Sequence, residues 1–114
     1  MIPKVAMIGG GSWATAIIKM LSDNFTAKEI YWWMRNQESI THLQKYKHNP
    51  NYLSSVEIRI PEDNISNNIS DIIEKAEYII LNVPAAFLKE TLDGVSPEQL
   101  KGKKIIDRKS TRLN

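Results

Sequence analysis

The sequence predicts an α/β fold, a doubly wound parallel sheet with helices on both faces. Three observations carry this. Short apolar runs alternate with stretches of helical spacing from Val5 to Ile106, which is the signature of successive strand–helix–strand units. Three of the five glycines stand together at Gly9-Gly10-Gly11, directly behind the first apolar run. No repeat and no linker divides the 114 residues, a length that suits one small domain.

Each element has its own justification. Residues 4–8 form a short apolar run stopped by glycine, as a buried parallel strand is. Residues 12–23 are helical, with Ala14, Ile17, Ile18 and Leu21 on one face, and Asn24 and Thr26 mark the end. Residues 28–34 are rich in aromatic and β-branched side chains and form the second strand. Residues 37–47 are helical, with Ile40, Leu43 and Tyr46 facing inward. Residues 48–55 are a turn-rich connection. Val56, Ile58 and Ile60 alternate with Glu57 and Arg59, which predicts a half-exposed third strand near a sheet edge, ended by Pro61.

After a polar stretch at 64–70, residues 71–76 form a short helix with Asp71 in its first turn, where the dipole favours an acid. Residues 78–83 (YIILNV) are a buried fourth strand ended by Pro84, and 85–92 form a helix. Ser96-Pro97-Glu98-Gln99 opens another helix, with Ser96 as N-cap, Pro97 at the first position and Gln99 completing a capping box. Gly102 closes it, and a fifth strand begins at 103–106.

Composition excludes several classes of function. A formal charge of +2, spread along the chain, is too small for a nucleic-acid surface. The absence of cysteine removes disulfide and thiolate chemistry and permits a reducing compartment. Every apolar run is far shorter than the roughly 20 residues of a membrane span. Lys4 and Ala14-Thr15-Ala16 imitate a secretory signal, but the apolar run is too short and glycines interrupt it. His42 and His48 have no metal-ligand partners at useful spacing, and nothing resembles a zinc site, a Ser-His-Asp set or paired carboxylates.

What remains is the glycine turn. Gly9-x-Gly11-x-x-Ala14 between a strand and a helix is the spacing of a dinucleotide-binding fingerprint. Gly9 allows the tight turn, Gly11 lets the backbone approach a diphosphate, and Ala14 lets helix and strand pack closely. Free N–H groups around Ser12 and Trp13, with the helix dipole, favour the phosphates. About 20 residues after the fingerprint, where an NAD-selective site carries an acid, this chain has Arg35. A guanidinium there can pair with a 2′-phosphate and stack on adenine, so the residues predict tolerance of NADP(H). Val83-Pro84-Ala85 falls at the carboxyl end of the fourth strand, beside the ligand crevice, and Phe87 is a candidate wall for the nicotinamide. Trp32 and Trp33 read as packing residues.

Gly9-Gly10-Gly11-Ser12-Trp13-Ala14-Thr15-Ala16 resembles the fingerprint of NAD(P)-dependent glycerol-3-phosphate dehydrogenases. The resemblance continues in Trp33-x-Arg35, in Asn49-Pro50-Asn51-Tyr52-Leu53 and in Val83-Pro84, in family order across residues 2–106. It implies a Rossmann domain over 1–106 and reversible hydride transfer between NAD(P)H and dihydroxyacetone phosphate, giving sn-glycerol 3-phosphate for glycerophospholipid synthesis. It implies cofactor contacts at Ser12, Trp13, Arg35, Asn36 and Tyr52. It further implies a cytoplasmic enzyme and a homodimer formed through a C-terminal substrate domain.

Three departures from the family stand out. Asn36 replaces a second basic residue, and Ser54-Ser55 replace Pro-Gly. After Ile105-Ile106 the family runs through small and apolar residues into a Lys-Gly pair whose lysine touches cofactor and substrate. Here residues 107–114 (DRKSTRLN) are polar and resemble a sequence-assembly or vector artefact more than a domain end, so Lys109 is not given that lysine's role. The expectation is a nucleotide-binding fold, incomplete at its C-terminus, without the helical substrate domain and inactive alone. The alternatives are a stand-alone nucleotide-binding or redox-sensing module, and a different two-domain dehydrogenase of the same architecture.

Overall fold

The computed structural model describes residues 3–24, 29–49, 55 and 57–107. Five parallel strands, β1 (Val5–Ile8), β2 (Ile30–Trp33), β3 (Ile65–Ser66), β4 (Tyr78–Leu81) and β5 (Lys104–Asp107), form one sheet in the order β3-β2-β1-β4-β5. The central strand pairs Val5 with Ile30 on one side and with Tyr78 on the other. The helices are α1 (Ser12–Asn24), α2 (Gln37–Tyr46), α3 (Ile69–Lys75), α4 (Ala85–Thr91) and α5 (Pro97–Leu100).

The period-2 alternation of the strands divides the core in two. Met7 and Trp32 point to one face, where Ala14 and Ile18 of α1 and Ile40 and Leu43 of α2 cover them. Ala6, Ile8, Tyr31, Trp33, Ile79 and Leu81 point to the other, covered by Ile69, Ile72 and Ile73 of α3, with Leu88 of α4 and Leu100 of α5 at the margin. The chain thus leaves β1 toward one face and β4 toward the other. Neighbouring strands whose connections diverge in this way open a crevice at their carboxyl ends.

Local chemistry sets the helix ends. The Asn36 side-chain oxygen accepts from the N–H groups of Glu38 and Ser39, capping α2, and Lys47 ends that helix in the left-handed region at φ 65°. Asn68 caps α3 by accepting from Asp71 N–H, so this helix starts at Ile69 rather than 71. The capping box of Ser96 and Gln99 forms at α5, as expected, and Gly102 follows with φ +82°.

Two expectations are corrected. The segment 57–60 is not a strand: Ile58 and Ile60 are buried and Glu57 and Arg59 exposed, yet no ladder forms. Its alternation records an extended segment packed on the core, and Ile58 N–H bonds to the Lys47 carbonyl outside any sheet. The edge strand comes later, at Ile65–Ser66, after a 3₁₀ turn at Glu62–Asn64 in which the Asn64 amide reaches Ile30 O at 3.0 Å. Tyr46 does not face inward. It is 54% exposed and packs against His42 and His48, with ring centroids 4.7 and 6.3 Å away.

Candidate cofactor site

A crevice of about 690 Å³ lies at the carboxyl ends of β1, β2 and β4. The β1–α1 turn contributes Gly9, Gly10, Gly11, Ser12 and Trp13; the β2–α2 turn contributes Met34, Arg35 and Asn36; the β4–α4 turn contributes Asn82, Val83, Pro84 and Phe87. The structure therefore brings ten of the eleven residues singled out from the sequence around one cavity. Tyr52, the eleventh, lies outside the described residues.

The glycines differ in what they answer to. Gly9 has φ +130°, and a Cβ there would stand 2.3 Å from the Asn82 carbonyl oxygen, so the fold itself demands glycine. A Cβ on Gly10 would meet the terminal methyl of Met34 at 3.0 Å. Gly11 has no atom within 4 Å of the same position. No packing among the described residues requires its bareness, and Gly11 lines the crevice.

Buried groups hold the turn. Trp32 Nε1 donates to Gly9 O at 2.6 Å, Asn49 Nδ2 to Gly10 O at 3.2 Å, and Thr15 Oγ1 to Gly11 O at 2.9 Å. Gly9 N–H donates to Trp33 O, and Asn82 N–H to Ile8 O, tying the turn to both neighbouring strands. No acceptor is recorded among the described residues for the N–H groups of Gly10, Gly11 and Ser12. They stand at the start of α1, where the dipole favours an anion.

Across the crevice, the Arg35 guanidinium lies over the Phe87 ring, 5.3 Å from its centroid. Among the described residues, Arg35 is the one charged side chain in the lining, and none is a carboxylate. Asn36 borders the cavity with its side-chain oxygen engaged by the α2 cap. Trp33 borders it too, and its indole N–H is buried with no partner among the described residues. Open donors, a bare glycine, a cation and no acid suit the diphosphate of a dinucleotide.

Sequence reasoning missed the anchors. In the sequence Asn49 stands only within a family resemblance and Trp32 only among packing residues, because their bonds to the turn span 39 and 23 residues. Thr15 was legible: a threonine four residues into a helix can reach the carbonyl one turn back. His42 and His48, solitary in sequence, meet with ring centroids 4.8 Å apart. No group of three or more metal-ligating side chains occurs among the described residues.

The model of the family described as "NAD-dependent glycerol-3-phosphate dehydrogenase N-terminus" matches residues 4–109. The chain belongs to this family. A glycerol-3-phosphate dehydrogenase [NAD(P)+] of Pseudomonas savastanoi pv. phaseolicola is 34% identical over 104 residues, covering 90% of this chain and 29% of that protein. The chain thus spans less than a third of the length of such relatives. In fold, it is similar to glycerol-3-phosphate dehydrogenase structures from Saccharomyces cerevisiae (TM-score 0.77, 21% identity, 94% of this chain and 33% of that one) and Plasmodium falciparum (0.72, 23%, 92% and 31%). No helix among the described residues is long and apolar enough to cross a membrane.

Proposed function

We propose that these residues form the pyridine-nucleotide half of a glycerol-3-phosphate dehydrogenase, binding NAD or NADP in the crevice. Gly9, Gly10, Gly11, Ser12 and Trp13 would hold the diphosphate through backbone N–H groups. Arg35 and Asn36 would hold the ribose at the adenine end, with Tyr52 as a further contact. Val83 and Pro84 would wall the crevice on the β4 side, and Phe87, which the Arg35 guanidinium overlies, would wall it next to Arg35. The cofactor supplies the hydride chemistry, reversible transfer between NAD(P)H and dihydroxyacetone phosphate to give glycerol 3-phosphate. The observation that carries the reading is Gly11, which no described atom forces to be bare and which lines a crevice whose one charge, among the described residues, is positive.

The chain's own residues bind and orient. Turnover also needs the ketone phosphate fixed against the nicotinamide and its carbonyl oxygen polarised. Among the described residues, Arg35 is the one charged side chain in the crevice lining, and its place here is at the ribose. These 114 residues alone are therefore expected to bind nucleotide without dehydrogenase activity. A cytoplasmic homodimer, paired through a substrate domain, completes the proposal. Titration calorimetry on the folded chain tests it: saturable heat with NADH or NADPH is expected, and silence with both overturns the reading. Oxidation of NADH on adding dihydroxyacetone phosphate would overturn the expected inactivity.

A further inference from the structure

Every peptide of the diphosphate turn is gripped by its carbonyl. Gly9 O, Gly10 O and Gly11 O each accept from a side chain of a fully buried residue: Trp32, Asn49 and Thr15. In a trans peptide the C=O and the following N–H point in opposite directions. Drawing three consecutive carbonyls toward buried donors therefore turns the N–H groups of Gly10, Gly11 and Ser12 the other way, toward the crevice.

Two of the three grips converge on one atom. Asn49 Nδ2 reaches Gly10 O at 3.2 Å and Thr15 Oγ1 at 3.0 Å. The Thr15 hydroxyl gives its single proton to Gly11 O, so it can only accept from Asn49. One carboxamide nitrogen thus spends both of its protons on the turn, one directly and one through the threonine. Asn49 reaches it from the segment behind α2, 39 residues away from Gly10, and is 0% exposed. Aspartate, as an ionised acceptor, could make neither bond.

We propose that Asn49 is a positioning residue for the nucleotide diphosphate, orienting the Gly11 and Ser12 N–H groups through Gly10 O and, by way of Thr15, Gly11 O. The inference rests on the reading of the crevice as a nucleotide site. A merely structural asparagine would alter stability; a positioning one alters the response to phosphate in particular.

The test compares ADP with adenosine, which lacks the diphosphate, together with NADH, by NMR and calorimetric titration of the full chain. Asn49→Leu, close in size but without donors, should weaken ADP and NADH about tenfold and leave adenosine within about twofold. Thr15→Val should reproduce that pattern, and Thr15→Ser, which keeps the hydroxyl, should restore the affinity. The Thr15 pair decides the matter if Asn49→Leu does not fold. Equal losses for ADP and adenosine, or no loss, overturn this proposal alone. A wild-type chain silent toward NADH and ADP overturns the nucleotide reading and this proposal with it.

Discussion

The two sides of the central strand are built to different standards. On the β2 side all four residues of the strand are buried, and the turn above β1 is tied down by donors from three fully buried residues. On the β4 side neither α4 nor α5 contains a buried residue, and Ile105 and Ile106 of β5 are about half exposed at 45% and 49%. The crevice has one hard wall and one soft wall. Hydrogen-bond donors aimed at an anion must be held closely, so they belong on the rigid side. Apolar surface against a flat ring tolerates small displacements, and Pro84 and Phe87 supply it from the looser one.

The largest effect should come from breaking the hard wall at Gly9. A methyl there clashes with backbone rather than with a side chain, and φ +130° is a conformation L-residues rarely adopt. Strain and overpacking together predict that Gly9→Ala costs about 4 kcal/mol, measurable by urea unfolding. A loss below about 1 kcal/mol would show that the turn yields easily. The two walls can next be compared with one chemistry. Ile18→Ala, at a fully buried site of α1, should cost about 3 kcal/mol. Leu88→Ala, on the half-buried face of α4, should cost about 1 kcal/mol. Equal losses would erase the distinction between the walls.

Gly11 sharpens the contrast from the ligand side. Gly11→Ala meets no protein atom, so unfolding free energy should shift by no more than about 0.5 kcal/mol. The new methyl would occupy the approach to the turn, and NADH affinity should fall at least about tenfold, or about 1.4 kcal/mol. Unchanged affinity on calorimetric titration would remove the diphosphate from the turn. Gly9 and Gly11 stand two positions apart, yet one answers to the fold and the other to the ligand.

That distinction marks how far the sequence could be read. Spacing alone located both glycines, because strand, turn and helix follow one another locally. It located β1, β2 and β4 for the same reason: each is a continuous apolar run. It misplaced the third strand, because period-2 burial at 57–60 has the same signature whether or not a ladder forms. The true edge strand, Ile65–Ser66, is two residues long and leaves no pattern at all. The anchors Asn49 and Trp32 reach the turn across 39 and 23 residues, and such contacts carry no local periodicity. Asn36 borders the crevice as its position after β2 implies, but its capping duty depends on where α2 begins.

The smallest effect concerns the contact that spans the two walls. Arg35 rises from the β2 end and lies over Phe87 on α4, 5.3 Å from the ring centroid. Both side chains are exposed, and a solvated cation–π pair contributes about 0.5–1 kcal/mol. Arg35→Ala should therefore leave stability nearly unchanged. Its consequence should lie in the cofactor: a 2′-phosphate adds an anion for the guanidinium, whereas NADH presents only hydroxyls there. The variant should bind NADPH about fivefold more weakly, equivalent to about 1 kcal/mol, with NADH changed by less than about twofold, so the ratio of the two affinities moves. If NADPH and NADH weaken together, Arg35 acts by steadying Phe87 and the soft wall. If neither changes, the arginine belongs to the surface and the preference between the two nucleotides is set elsewhere in the crevice.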